Sequence, residues 1–220
     1  EMTSSLVGSE MCIRDSLSPA LKDFVFGVKA PAPCRFFCGR DMELDALHEM
    51  LCSQGKVFLQ GIAGIGKSEL AKAYAKRYSR EYTNIIYFTY SGDLKRDIAN
   101  LDFADDVDDN ETMDARFSRH HRLLRRLRDD SLLIIDNFNT VTTRDSLLDV
   151  VLNYHCRIIF MTRSKFDNYA SVNLEEIADT ETLISLMGCF YSDAEKQRPV
   201  LEQIIQAVHR HTPVSYTHLT

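Results

Sequence analysis

Short apolar runs alternate along the chain with segments in which apolar residues recur every three or four positions. Four of the runs have the length and composition of buried strands: KVFLQG at 56–61, NIIYFTY at 84–90, SLLIIDNFN at 131–139 and CRIIFMTRS at 156–164. Parallel neighbours in a sheet need crossover helices, and the intervening segments suit that role. The pattern therefore predicts a layered α/β protein with a mainly parallel sheet, of which four strands can be placed on the sequence.

Helical spacing marks the segments before, between and after these strands. Leu44, Leu47 and Leu51 share one helical face before the first strand, and Asp41 is the predicted N-cap of that helix. The remaining predicted helices cover 68–78, 116–130, 146–152, 180–187 and 194–208. The last two predict the start of a small helical domain, and the acidic stretch at 102–109 predicts a solvated loop.

The two ends of the chain differ from this pattern. Segments 7–16 and 213–220 show no periodicity that continues into their neighbours, and both resemble translated adapter sequence. We therefore predict that 1–16 and 213–220 are not native, and that the natural chain is a fragment of a larger protein. Within it we expect a linker or the end of an upstream region at 17–36, the α/β domain at 37–177 and a truncated helical domain at 178–212.

Composition limits the class of protein further. The 220 residues are 45% apolar and 26% charged, which suits one ordinary globular domain with the beginning of a second. Lysine and arginine number 26 against 32 aspartates and glutamates, and the net charge of −6 argues against a wide nucleic-acid-binding face. The sequence contains neither an apolar stretch of about 18 residues nor a secretory signal. We therefore expect a cytoplasmic protein without a membrane partner.

Residues 61–68 read GIAGIGKS and match the phosphate-binding pattern GxxxxGK[ST] in full. The glycines allow a tight turn with inward-facing amides, and the helix that follows adds its positive N-terminal end. Lys67 is expected to reach the β- and γ-phosphates of a nucleotide, and the Ser68 hydroxyl to bind Mg²⁺. The predicted nucleotide-binding residues here are Gly61, Gly64, Ile65, Gly66, Lys67, Ser68 and Glu69. The alternative is a glycine-rich turn that only joins a strand to a helix.

A second element of the same chemistry is Asp136, which follows four apolar residues at 132–135. A carboxylate at the end of a buried strand is suited to hold a water of a magnesium shell, so Ser68 and Asp136 form the predicted metal site. A strand-end aspartate that caps the next turn is the alternative. Position 137 is Asn, where many ATPases that hydrolyse fast have a second acid. Because an amide cannot take a proton from water, we expect slow hydrolysis.

Four segments, FCGRDMEL, GIAGIGKS, LLIIDN and IIFMTRS, together resemble the nucleotide-binding domain of STAND-class signalling NTPases, with the NB-ARC type as the nearest subgroup. The resemblance covers 37–212 and implies a three-layer P-loop NTPase fold with a mainly parallel five-stranded sheet. The same resemblance implies that this domain binds ATP or ADP with Mg²⁺. It also implies that Phe37 and Arg40 close over the adenine and ribose, and that Arg163 is a sensor arginine near the γ-phosphate. Lys67, Asp136 and Arg163 form the predicted catalytic set. Without the resemblance, either arginine is more simply a surface residue.

The implied function is an ATP/ADP-binding switch in a multidomain signal-transduction NTPase, with slow Mg²⁺-dependent hydrolysis. The expected partners are nucleotide, downstream winged-helix and repeat domains, and further copies of the chain in a nucleotide-dependent oligomer. The Gly-x-Pro motif of the family is not recognisable near 209–212. One alternative is an AAA+-like motor ATPase, against which Asn137 counts. Another is a non-enzymatic, nucleotide-dependent adaptor that contacts DNA through the arginine-rich helix predicted at 116–130, although nucleic acid is not the expected partner and a surface helix is the simpler interpretation.

Overall fold

The computed structural model describes residues 30–103, 111–139, 145–166, 168–189 and 195–207. Several predicted features lie outside these residues: the segments 1–16 and 213–220, most of the linker at 17–36, the acidic loop from 104 onward and the last residues of the helical domain. In the ranges that are described, no helix is long and apolar enough to cross a bilayer.

The described residues form one five-stranded sheet. Its strands are β1 (Lys56–Gln60), β2 (Asn84–Thr89), β3 (Ser131–Asp136), β4 (Arg157–Thr162) and β5 (Ser171–Asn173). They stand in the order β2-β3-β4-β1-β5, and each neighbouring pair is parallel. This arrangement confirms the predicted fold class. The fifth strand could not be placed from the sequence because it has 3 residues and buries only Val172.

Helices cover both faces of the sheet. They are α1 (Asp41–Gln54), α2 (Lys67–Arg77), α3 (Leu94–Ala99), α4 (Met113–Arg126), α5 (Leu148–Leu152), α6 (Thr180–Gly188) and α7 (Arg198–Ala207). Short 3₁₀ turns cover Ser79–Glu81 and Glu195–Gln197. One core joins the sheet to α1 and α2, and the other joins it to α3, α4 and α5. The sheet is therefore the middle of three layers.

Alternate residues of the central strands enter opposite cores, as the two-residue period of a strand requires. In β3, Ile134 packs in the core with α1 and α2, while Leu133 and Ile135 pack in the other core. In β4, Ile159 packs in the core with α1 and α2, and Phe160 packs in the other core. Because both faces of the sheet are covered, these strands are continuous apolar runs rather than alternating ones. This is why they could be recognised in the sequence.

The predicted N-cap of α1 was wrong. The helix begins at Asp41 itself, and Arg40 takes the cap position without a side-chain cap bond. Asp41 lies in the first helical turn, where a negative charge interacts favourably with the helix dipole. Its carboxylate accepts a hydrogen bond from Arg77 at 2.8 Å. The acidic residue therefore helps to join α1 to α2 instead of capping α1.

The arginine-rich helix was predicted correctly in kind but not in its limits. It starts before 116, at Met113, because the Thr112 hydroxyl accepts a hydrogen bond from the Ala115 amide and caps it. It ends before 130, since Leu127 has an extended backbone and is buried. The side chains of Arg122, Arg125 and Arg126 are exposed, as expected for a surface helix.

The last two described helices, α6 and α7, share a small core of their own. Its buried residues are Ile177, Leu183, Ile184, Met187, Leu201 and Ile205. The helix predicted at 194–208 consists of a 3₁₀ turn followed by α7, and residues 194 and 208 lie outside the described ranges. The domain boundaries at 37–177 and 178–212 stay predictions.

Replacing Phe58 with alanine should lower the free energy of unfolding by about 3–5 kcal/mol, because a large cavity would remain between β1 and its neighbours. Phe58 is fully buried, and its ring centroid lies 4.6 Å from that of Phe160 and 4.4 Å from that of Phe166. Urea denaturation measures the loss. Met42→Ala is the control, since Met42 is 84% exposed and its replacement should cost less than about 0.5 kcal/mol. Equal losses in the two variants would contradict this packing.

Candidate functional site

The strand order brings three polar segments together. The carboxyl ends of parallel strands meet at one edge of the sheet, which is where ligands bind in such folds. At this edge β1 leads into the glycine loop, β3 ends at Asp136, and β4 leads into Arg163. Because β4 lies between β1 and β3, Arg163 stands between the loop and the carboxylate. Residues of all three segments line a cavity of about 260 Å³.

The glycine loop has a backbone that other residues would distort. Gly66 has φ 102° and immediately precedes the first residue of α2, so the chain turns sharply into the helix. Gly61 has φ 155°, and a Cβ atom there would lie 2.8 Å from the Leu174 carbonyl oxygen. Ile65 is buried, with 2% of its surface exposed, and anchors the loop in the core beneath. The loop is therefore packed against Leu174 at its start and against the core with α1 and α2 at Ile65.

Lys67 is held against the loop by two backbone acceptors. Its Nζ donates to the carbonyl oxygens of Gly61 at 2.7 Å and Ile62 at 2.8 Å. Both acceptors are neutral, so they fix the ammonium group without cancelling its charge. Partial burial lowers the pKa of Lys67, and the charge of Arg163 lowers it further, while Asp136 acts in the opposite direction. With the N-terminus of α2, these cations make the cavity suited to an anion.

The predicted metal-site residues are in direct contact. The Ser68 hydroxyl donates to Oδ1 of Asp136 at 3.1 Å. The other carboxylate oxygen, Oδ2, accepts a hydrogen bond from the Tyr87 hydroxyl at 2.5 Å. Burial raises the pKa of Tyr87, and the bond to Asp136 raises it further, so this hydroxyl stays a donor. Tyr87 was missed in the sequence because its contact depends on which residues β2 and β3 place side by side.

Asn139 connects the ends of β3 and β4, and the sequence did not single it out. Its side-chain oxygen accepts a hydrogen bond from the Arg163 backbone amide at 2.8 Å, and its amide group donates to the side chain of Asn137. Asn137 has φ 58° and, in the part of the chain that the structure describes, is the one residue other than glycine with a positive φ. Asparagine tolerates this conformation better than most residues. Arg163 is exposed and lines the cavity of about 260 Å³.

A second, smaller cavity of about 110 Å³ lies behind the loop. Its lining is mostly apolar and includes Phe36, Phe37, Ile65, Ile177 and Leu186. It is therefore suited to a flat, weakly polar group, and it draws walls from α6 as well as from the segment before α1.

Arg40 lines the smaller cavity but is itself buried, with 5% of its surface exposed. It donates to Glu43 at 2.6 Å and to the Ile65 carbonyl oxygen at 3.4 Å, so it supports the loop from behind. Glu69 lines both cavities and accepts a hydrogen bond from the Cys34 amide at 2.6 Å. It thereby fastens the segment before α1 to α2.

The residues present fit a nucleotide with Mg²⁺. Oxygen atoms are the ligands that Mg²⁺ prefers, and Ser68 and Asp136 place a hydroxyl and a carboxylate side by side. The predicted residues that surround the larger cavity are Gly64, Gly66, Lys67, Ser68, Glu69, Asp136 and Arg163. Phe37, Arg40 and Ile65 instead line the smaller cavity, with Gly66 and Glu69 shared between the two. Gly61 contributes its carbonyl group to the position of Lys67.

Comparison with known proteins gives one family match. The model of the NB-ARC domain matches residues 40–186. A chain from the structure of Drosophila ORC bound to DNA is 13% identical, with a TM-score of 0.46 over 82% of this chain and 52% of that one. The crystal structure of a DNA replication initiation factor is 16% identical, with a TM-score of 0.45 over 79% and 57%. This chain thus spans little more than half of either structure. No curated protein matches it.

Gly61→Ala should destabilise the fold more than Gly55→Ala. Both glycines have positive φ, 155° and 74°, so each replacement strains the backbone by about 1–3 kcal/mol. Only at Gly61 does the added Cβ meet other atoms, and the overlap should cost a further ~1–3 kcal/mol. The free energies of unfolding in urea give the difference. If the two variants lose the same amount, the loop is not packed as tightly as described.

Proposed function

We propose the function of this chain on the premise that it belongs to the NB-ARC domain family and is therefore a P-loop nucleotide-binding domain. It serves as the ATP/ADP switch of a multidomain signalling NTPase, and its Mg²⁺-dependent hydrolysis is slow. The observation that carries this proposal is the assembly of Lys67, Ser68, Asp136 and Arg163 around one cavity. These residues come from three separate segments, and each has a group that a metal-bound polyphosphate requires.

The phosphates are bound by the larger cavity. The amides of the glycine loop and of the N-terminus of α2 donate hydrogen bonds to phosphate oxygens, and Lys67 adds a full positive charge. Bound Mg²⁺ neutralises part of the phosphate charge, and Ser68 and Asp136 are the residues that hold it. The direct contact between these two side chains, at 3.1 Å, means that little movement is needed to prepare the metal site.

The adenine base occupies the smaller cavity, where Phe36, Phe37 and Ile65 supply apolar contacts. Two more residues that line this cavity connect it to the helical part of the chain. Leu186 lies in α6, and Ile177 belongs to the small core that α6 and α7 share. Contact between the nucleotide and α6 gives the switch a route to the residues that follow. A ligand shifts a conformational equilibrium only through a difference in its affinity for the two states. Contacts between the base and α6 that form in one state and not in the other provide that difference.

ATP and ADP differ by the γ-phosphate, so a switch needs a residue that detects it. Arg163 is suited to this role because it lies at the end of β4, between the glycine loop and Asp136. A guanidinium group forms strong, charge-assisted hydrogen bonds with phosphate oxygens. Asn139 accepts a hydrogen bond from the Arg163 amide and so holds the backbone from which this side chain extends. The side chain therefore has fewer positions available to it.

The wider setting of the switch is also part of the proposal. Downstream winged-helix and repeat domains of a longer protein receive the conformational change, and copies of the chain associate in a nucleotide-dependent manner in the cytoplasm. The contact of α6 with the base cavity supports transmission toward the C-terminal side of the chain. An AAA+-like motor, the alternative from the sequence, would need fast turnover.

Lys67→Ala should abolish the rise in unfolding temperature that millimolar ADP or ATP with Mg²⁺ gives the unaltered chain. A ligand at 100 times its dissociation constant stabilises the folded state by about 2.7 kcal/mol, and the variant lacks the charge that secures the phosphates. Lys76→Ala is the matched control, because Lys76 is exposed on the same helix. Thermal denaturation and calorimetry give the measurement. If the unaltered chain binds neither nucleotide, the proposed function is wrong.

Asn137→Asp should raise steady-state ATP hydrolysis by about 100-fold, the lower end of the contribution of a positioned general base. An aspartate keeps the acceptor for the Asn139 amide and tolerates a φ of 58°, so the fold should not change. Phosphate release measures the rate, and adding Lys67→Ala to this variant should return it to background. Turnover of the unaltered chain above about one per second would instead favour the motor ATPase.

A further inference from the structure

The contact between Tyr87 and Asp136 follows from the pairing of β2 with β3. Tyr87 lies beside Ile134, and Thr89 lies beside Asp136. Tyr87 and Ile134 pack in the same core, whereas Ile86 and Ile135 pack in the opposite one. Since side chains alternate along a strand, Tyr87 and Asp136 share a face and are two residues apart on the diagonal, a distance that an aromatic side chain spans.

The surroundings of Tyr87 make this contact strong and directional. Only 7% of its surface is exposed, and its hydroxyl lies 2.5 Å from Oδ2 of Asp136. A hydrogen bond to a carboxylate is charge-assisted and stronger than one between neutral groups. The phenol ring is packed in the core with α1 and α2, so the hydroxyl has little freedom to turn away.

The two oxygens of Asp136 therefore have different partners. Oδ2 accepts the hydrogen bond of Tyr87, and Oδ1 accepts that of Ser68. The Asp136 residue lines the larger cavity. We propose that Tyr87 is a positioning residue of the magnesium site: its hydroxyl fixes one oxygen of Asp136 and thereby presets the carboxylate beside Ser68. This inference rests on the proposed function of the same site. Residues that orient a metal-binding carboxylate contribute to metal affinity without touching the metal.

Tyr87→Phe tests the inference, because it removes the hydroxyl and keeps the ring. The chain is heated with excess ADP over a series of Mg²⁺ concentrations, and the midpoint of the Mg²⁺-dependent stabilisation is read. We expect this midpoint to rise on the order of tenfold. The unfolding temperature with ADP and a chelator is measured for each variant as its own baseline, because loss of the hydrogen bond to Asp136 also lowers stability.

The control variant is Tyr90→Phe. Tyr90 is also buried and follows the end of β2, but its hydroxyl donates to Asp145 at 3.1 Å and not to Asp136. Its Mg²⁺ midpoint should equal that of the unaltered chain. A purely structural role of Tyr87 would lower the unfolding temperature without ligand and leave the Mg²⁺ midpoint in place, which would overturn the inference.

A double-variant cycle shows whether Tyr87 acts through Asp136. Asp136→Ala should itself raise the Mg²⁺ midpoint, and adding Tyr87→Phe to it should cause no further rise. If the second replacement adds its full effect, Tyr87 acts by another route and the inference fails. Failure of the proposed function is distinguishable, since then the unaltered chain shows no stabilisation by ADP at any Mg²⁺ concentration. If ADP and Mg²⁺ stabilise the unaltered chain and Tyr87→Phe has the same Mg²⁺ midpoint, only the role of Tyr87 is overturned.

Discussion

The hydrogen bond between Ser68 and Asp136 is the contact on which the candidate site depends, and it requires the strand register that the two cores fix. The two residues are 68 positions apart in the chain. Ser68 lies in α2, after β1 and the glycine loop, Asp136 ends β3, and β4 stands between these two strands. Their contact requires that α2 begins at Lys67 and that the carboxylate emerges at the last residue of β3. A shift of β3 by one residue would move the carboxylate to the other face of the sheet. The cores on both faces prevent such a shift, because every residue of this strand before Asp136 is buried.

The same core that fixes the strands also positions the groups of the site. Ile65 lies within the glycine loop and is packed with α1 and α2, and Tyr87 joins that core by its ring and the site by its hydroxyl. Arg40 stands behind the loop and bonds to its backbone. A loop made of glycines would otherwise lose much conformational entropy when it orders around an anion. Packing from beneath means that much of this ordering occurs on folding, before any ligand is present.

The parts of the site that the sequence predicted are those whose chemistry is contiguous in the chain. The glycine loop with Lys67 and Ser68 is one segment of eight residues, and Asp136 is marked by the apolar run before it. Arg163 needed the family resemblance, since an arginine after a strand has no signal of its own. Tyr87 and Asn139 depend on which strands are neighbours, a fact that no local pattern contains. α3 and β5 were missed for a simpler reason: with 6 and 3 residues they are too short to show a period.

The slow turnover that we propose follows from the polar groups that line the larger cavity. In the proposed function, the glycine loop and the smaller cavity bind the parts that ATP and ADP have in common. Arg163, Asn137 and Asn139, which line the larger cavity, are then left for the γ-phosphate. In this group the arginine can bind charge, but both asparagines lack a site that accepts a proton. In the proposed function, recognition of the γ-phosphate is thereby separated from its removal. A two-state switch benefits from this separation, because each state lasts only as long as the ligand that stabilises it.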